Sequence, residues 1–129
     1  MKIEHVAMWT ELLEEMRDFY TMFFEGEAGP KYENPAKGFE SYFLRFSSGA
    51  RLELMRSQNM REGVMDEHYV QIGLAHLAFS VGSEEKVREL TEKIRQAGHE
   101  VVSEPRTTGD GYYESCILDP EGNRIEITV

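Results

Sequence analysis

The chain repeats itself at long range, and that repetition limits what it can fold into. Gly49-Ala50-Arg51-Leu52-Glu53 returns as Gly122-Asn123-Arg124-Ile125-Glu126, 73 positions later. Glu4-His5-Val6-Ala7-Met8 has its counterpart 71 positions on, in Ala75-His76-Leu77-Ala78-Phe79. Two near-equal offsets in 129 residues predict two copies of one structural unit. A unit of about 60 residues is marginal alone, so the copies are expected to pack on each other or on a second chain. Each copy brings one His and one Glu. Two imidazoles and two carboxylates make a ligand set for a divalent metal with open coordination positions.

Periodicity assigns the elements. Residues 3–9 alternate as a strand, with His5, Ala7 and Trp9 on one face and Val6 and Met8 on the other. From Thr10 or Glu11 a helical pattern follows, with Leu12, Leu13, Met16, Phe19, Tyr20 and Phe23 on one side; Gly26 and Gly29-Pro30 should end it. Residues 39–46 and 50–55 read as strands joined at Ser47-Ser48-Gly49. In the second half, residues 74–81 read as a strand, and Ser83 caps a helix carrying Val87, Leu90, Ile94 and Ala97, closed by Gly98. A short strand at 100–102, a strand at 112–118, a turn at 119–122 and a last strand at 123–129 complete it. The order is β-α-β-β-β twice, an α+β fold. Matching Glu40-Ser41-Tyr42-Phe43-Leu44 to Glu114-Ser115-Cys116-Ile117-Leu118 extends the repeat at an offset of 74, which puts one residue of slippage in the turn before Gly49. Module 1 then spans about 1–55, a polar linker about 56–73, and module 2 about 74–129 of a single domain.

Side chains alternate faces along a strand. If the helices cover Leu52, Leu54, Ile125 and Ile127, then Glu53 and Glu126 point to the opposite, concave face. His5 and His76 alternate with Val6 and Leu77 and can occupy that face too. A pseudo-twofold axis would bring all four to one point, and two carboxylates held together call for a cation. Nickel, zinc, cobalt, manganese and ferrous iron are all compatible, since geometry and availability select among them and residue identity does not; calcium is disfavoured by the imidazoles. Arg51 and Arg124 stand two residues before the two Glu, about 7 Å along the strand on the same face. They either bind an anionic substrate or pair with carboxylates. Trp9, Tyr42, Tyr113 and Met55 are expected to wall the same cavity.

Fourteen Lys and Arg against 24 Asp and Glu give a formal charge of −10, which repels nucleic acid and anionic membranes. No apolar run reaches bilayer length and no signal-peptide core is visible, so a cytoplasmic location is expected. The single Cys116 fits that reducing compartment and reads as a small strand side chain, not a nucleophile. His68 falls in the linker and reads as a solvated surface residue.

Leu118-Asp119-Pro120-Glu121-Gly122-Asn123-Arg124-Ile125-Glu126, with the two His strands Ile3–Ala7 and Leu74–Phe79, resembles the vicinal-oxygen-chelate superfamily. That superfamily includes glyoxalase I and the glyoxalase/bleomycin-resistance proteins. The resemblance spans essentially the whole chain. It implies two pseudo-symmetric βαβββ modules forming a cupped mixed sheet around a metal site. Glyoxalase I-like members carry His, Glu, His, Glu, which His5, Glu53, His76 and Glu126 match in order. That branch implies a lyase or isomerase acting on a small 2-oxo or hydroxy-carbonyl compound or its thiol adduct, with Glu126 as first candidate base and Glu53 as its counterpart. Other activities on the scaffold are epimerisation, dioxygenation, thiol transfer to an antibiotic, and drug sequestration without chemistry. Homodimers are common in the family. At positions where glyoxalase I binds glutathione, this chain has Trp9, Ser57 and Thr108-Gly109-Asp110-Gly111.

Overall fold

The computed structural model describes residues 1–60 and 73–129. His68 lies outside the described residues. The chain divides into two compact units, Met1–Asp66 and Glu67–Val129. Among the described residues no helix is long and apolar enough to cross a membrane.

In the first unit, β1 (His5–Trp9) leads into α1 (Leu13–Phe24). The Thr10 hydroxyl accepts the Leu12 N–H at 2.9 Å, and the helix itself begins at Leu13 with Leu12 at its N-cap, later than the Thr10 or Glu11 that the pattern suggested. Leu13, Met16, Phe19, Tyr20 and Phe23 are buried, and so is Phe24; Leu12, expected on the apolar face, stays exposed. The helix ends in a left-handed residue, but that residue is Glu25 (φ 56°), not Gly26. Gly26 meets a different demand. A Cβ there would lie 3.1 Å from Leu44 Cδ2 and 3.1 Å from the Tyr20 carbonyl, so a larger residue would have to push helix or sheet back by a few tenths of an ångström.

Two short strands, β2 (Glu27–Ala28) and β3 (Tyr32–Asn34), then precede a 3₁₀ turn at Pro35–Lys37. Neither was visible in the sequence, because two- and three-residue strands are too short to show a period. β4 (Phe39–Arg45) and β5 (Arg51–Ser57) form a hairpin, and β5 runs two residues past the expected end. The sheet order is β1-β5-β4-β2, with β3 also on β4. β1 and β5 are parallel; the β4 pairings are antiparallel.

The second unit repeats this plan. β6 (Leu77–Ser80), α2 (Glu84–Gln96), β7 (Val101–Thr107), β8 (Tyr113–Leu118) and β9 (Arg124–Thr128) give the order β6-β9-β8-β7, with β6 parallel to β9. Ser83 caps α2 by accepting the Lys86 N–H at 3.2 Å. Val87 and Ile94 are buried as expected, whereas the third fully buried position is Thr91 and Ala97 is exposed. Thr91 is admitted because its hydroxyl bonds the Val87 carbonyl and the Ser115 hydroxyl, both at 2.6 Å. β7 is longer than the 100–102 stretch suggested. It tolerates Pro105 because it is an edge strand. In the first unit the same edge is split into β2 and β3 around Gly29-Pro30.

The registers are duplicated residue for residue. Val6 pairs with Leu52 and Leu77 with Ile125, which are the 71 and 73 offsets acting together. Phe43 pairs with Glu53 and Cys116 with Glu126. The offset across this hairpin is therefore 73, which corrects the 74 read from the Glu-Ser match. The turns are equally long, and Gly49 (φ 84°) and Gly122 (φ 85°) take the same left-handed conformation in each. Burial explains why the slip is refused. Leu44 and Ile117 are both wholly buried under their helices, and shifting one strand by a residue would turn that face outward.

Candidate metal centre

Each unit buries one face of its sheet and leaves the other open. Leu52 and Leu54 in β5, and Ile125 and Ile127 in β9, are at most 3% exposed, in agreement with the expected parity. The alternate residues, Arg51, Glu53 and Met55 or Arg124, Glu126 and Thr128, lie on the open face.

In the first unit the parallel register sets His5 beside Arg51 and Ala7 beside Glu53. His5 Nε2 lies 3.9 Å from Glu53 Oε2, with the imidazole 42% exposed and the carboxylate 15%. The His5 ring stands edge-on to Phe43, centroids 5.5 Å apart at 84°. Over the Phe43 ring, at 4.2 Å, sits the Arg51 guanidinium. On its other nitrogen, Nδ1, His5 is hydrogen-bonded to the Glu4 carboxylate at 2.5 Å, and Arg51 donates to the same carboxylate. The bond to His5 first, and the Arg51 charge with it, hold the Glu4 carboxyl below its ordinary range.

In the second unit His76 stands one residue ahead of β6, and its Nε2 is 3.1 Å from Glu126 Oε2. Cys116, opposite Glu126, has its thiol pushed up by burial, with Arg124 pulling the other way; a protonated thiol is a poor nucleophile, consistent with a packing role. Glu114 shares the open face, two residues from Cys116. Burial first, then the Glu126 charge, push its carboxyl up.

Of the expected cavity residues, Trp9 lies on the face of His5, 56% exposed and edge-on to Phe39 at 6.1 Å. Tyr42 and Tyr113 do not belong there. Tyr42 alternates with Phe43 onto the helix-covered face, is 8% exposed, and hydrogen-bonds Glu14 and Arg17 of α1, each at 3.1 Å. Tyr113 shares the parity of the buried Ser115 and Ile117, and its hydroxyl accepts from Arg88 of α2 at 3.0 Å. Both tyrosines tie a helix to its sheet. Arg51 is engaged with Glu4 and Phe43 within its own unit, the structural one of its two expected roles. The repeat could not reveal Glu4, because its counterpart is Ala75. A cavity of about 520 Å³ in the first unit is lined by Phe39, Glu33, Arg56 and Met60 among others, and neither His5 nor Glu53 lines it.

Each unit thus presents an imidazole Nε2 beside a carboxylate oxygen on its open face. Borderline divalent cations accept both donor types, so the donor chemistry fits such an ion. Each pair supplies two donors. Among the described residues no group of three or more His, Cys, Asp or Glu is close enough to hold a metal.

The Asp119–Asn123 turn aims β9. Asp119 Oδ1 accepts from the Glu121 N–H at 3.0 Å, the Asn123 N–H at 2.9 Å and the Asn123 amide at 3.2 Å; Oδ2 takes the same amide at 2.9 Å. That is the physical content of the Asp-Pro-Glu-Gly-Asn motif. It fixes the hairpin from which Glu126 projects.

Known proteins share this architecture. The domain of a glyoxylase/bleomycin resistance protein/dioxygenase from Frankia sp. EAN1pec superposes with a TM-score of 0.82 at 18% identity, covering 99% of this chain and 90% of that one. Glyoxalase I from Zea mays superposes with a TM-score of 0.78 at 21% identity over 98% of this chain; the match spans only 44% of the maize chain. In sequence, the uncharacterized protein YqjT of Bacillus subtilis (strain 168) is 26% identical over 130 residues, 97% of this chain and 96% of its own. The family model for the Glyoxalase/Bleomycin resistance protein/Dioxygenase superfamily matches residues 2–127. With that match across nearly its whole length and the duplicated βαβββ fold behind it, the chain belongs to this superfamily.

Proposed function

We propose that His5, Glu53, His76 and Glu126 together hold one divalent cation, nickel or zinc first, with cobalt, manganese and ferrous iron as alternatives. The protein is then a metal-dependent lyase or isomerase of the glyoxalase I type. Its substrate is a small 2-oxo or hydroxy-carbonyl compound or a thiol adduct of one. The observation that carries this reading is the duplicated register, which sets a His beside a Glu on the open face of both sheets. A cation held by this set supplies Lewis acidity to two vicinal substrate oxygens. Glu126 takes the proton from the substrate C–H and returns it to the neighbouring carbon, a transfer worth about 10²–10⁴-fold in rate. Glu53, its counterpart by the repeat, remains a ligand. Trp9 and Phe39 offer apolar surface on the His5 face, so an apolar substituent suits the site better than a carboxylate.

The test is metal content after purification without chelators, followed by turnover of methylglyoxal with a panel of thiols. Wild-type protein should carry about one ion per four-residue set, and His76→Ala and Glu126→Gln should lose it or bind it more weakly. Failure to take up any divalent metal, at any added concentration, would leave a non-catalytic binding protein as the surviving reading.

A further inference from the structure

The two His–Glu pairs agree in register but not in what stands behind them. In the first unit Glu4, His5, Phe43 and Arg51 close a ring of contacts. Arg51 donates to the Glu4 carboxylate and lies over Phe43, Glu4 bonds His5 Nδ1, and His5 meets Phe43 edge-on. The corresponding second-unit residues are Ala75, His76, Cys116 and Arg124, from the offsets of 71 and 73. The alanine side chain cannot accept a hydrogen bond and cysteine offers no ring, so among the described residues that ring of contacts has no counterpart.

Distances decide which His5 nitrogen holds the proton when the ring is neutral. Nδ1 lies 2.5 Å from a Glu4 oxygen, within hydrogen-bonding distance. Nε2 lies 3.9 Å from Glu53, beyond it. A neutral imidazole has one N–H, and it gains most by donating to the nearer carboxylate. That leaves the Nε2 lone pair free on the side of Glu53. His76 is the reverse case: its carboxylate contact, to Glu126, is made through Nε2 at 3.1 Å.

We infer that Glu4, braced by Arg51, is a positioning residue that holds His5 in the Nδ1–H tautomer and so presets its Nε2 as a ligand atom, a device without a counterpart at His76 among the described residues. The use of that lone pair rests on the proposed metal site; the tautomer does not. A carboxylate on the far nitrogen of a metal-binding His fixes both ring orientation and tautomer, and its loss weakens metal binding by about 10–100-fold. The first unit therefore offers a preset ligand.

The experiment is long-range ¹H–¹⁵N NMR of the metal-free, full-length protein, read at a pH where the spectrum itself shows both imidazole rings neutral. His5 of the wild type should be in the Nδ1–H form. Glu4→Ala should move it towards the Nε2–H form that free imidazole side chains favour. Glu4→Gln, whose amide oxygen still accepts from Nδ1–H, should restore most of the wild-type signal. His76 resonances should hold still throughout, which also shows that the variants are folded. Nickel titration should then rank wild type and Glu4→Gln above Glu4→Ala, by about 10–100-fold. An Nε2–H His5 in the wild type, or a tautomer indifferent to Glu4→Ala, overturns the inference. A tautomer that follows Glu4 in a protein that binds no nickel refutes the metal reading and leaves the positioning role intact.

Discussion

Asp119→Ala offers the sharpest test of what the terminal motif does. Asp119 is 4% exposed as a residue, and its carboxylate accepts from two backbone N–H groups and, through both oxygens, from the Asn123 amide. Each backbone bond lost costs about 1–1.5 kcal/mol in this partly buried turn, where water restores some of the hydration. The Asn123 amide can rotate to solvent and adds about 0.5 kcal/mol. The sum is about 3 kcal/mol. For 129 residues the unfolding entropy is about 0.27 kcal/mol/K, so the melting temperature should fall by about 11 °C. Asp119→Asn keeps an oxygen for the backbone donors and should lose only about 1 kcal/mol. Thermal melts and urea titrations followed by circular dichroism measure both, under two-state conditions. A Tm within about 2 °C of wild type for the alanine variant would refute the reasoning, as would equal losses in the two variants. Well below its midpoint, the alanine variant should match wild type in metal content, because the motif acts on the hairpin and not on the proposed ligands.

Tyr42→Phe should cost about 1 kcal/mol of stability through its lost bonds to Glu14 and Arg17, while metal content and turnover stay at wild-type level. Tyr113→Phe should likewise leave both unchanged; loss of activity in either variant would return that tyrosine to the site. Ile127→Ala, at a wholly buried position in β9, should lose about 2–5 kcal/mol in the same melts. Glu114 gives a pH prediction for metal-free protein. Its folded carboxyl is raised above the ordinary 4.5, so its favourable contribution is complete below about pH 4.5 and is lost as pH rises through the folded value. Glu114→Gln should therefore gain in Tm over wild type as pH goes from 4 towards 8, and a constant difference would contradict the assignment.

The sequence alone was enough for the duplicated βαβββ plan, for both His–Glu pairs and for the face each Glu takes. The causes of these are local. A strand alternates at every second residue, so the fully buried Leu54 and Ile127 leave their neighbours Glu53 and Glu126 no face but the open one. Only the tertiary structure decided the rest. Glu40-Ser41 resembles Glu114-Ser115 in letters, yet the buried Leu44 and Ile117 lock the hairpins at an offset of 73. Tyr42 and Tyr113 read as cavity walls, yet their hydroxyls reach Arg17 and Arg88; apolar residues stand on both faces of these strands, Phe43 against Leu44 and Ile117 against Leu118, so their pattern does not say which face a helix covers. The tie from Arg51 through Glu4 to His5 joins residues 47 positions apart, and the repeat had no second copy by which to reveal it. Periodicity is written in neighbouring residues; hydrogen bonds between distant ones exist only once the chain has folded.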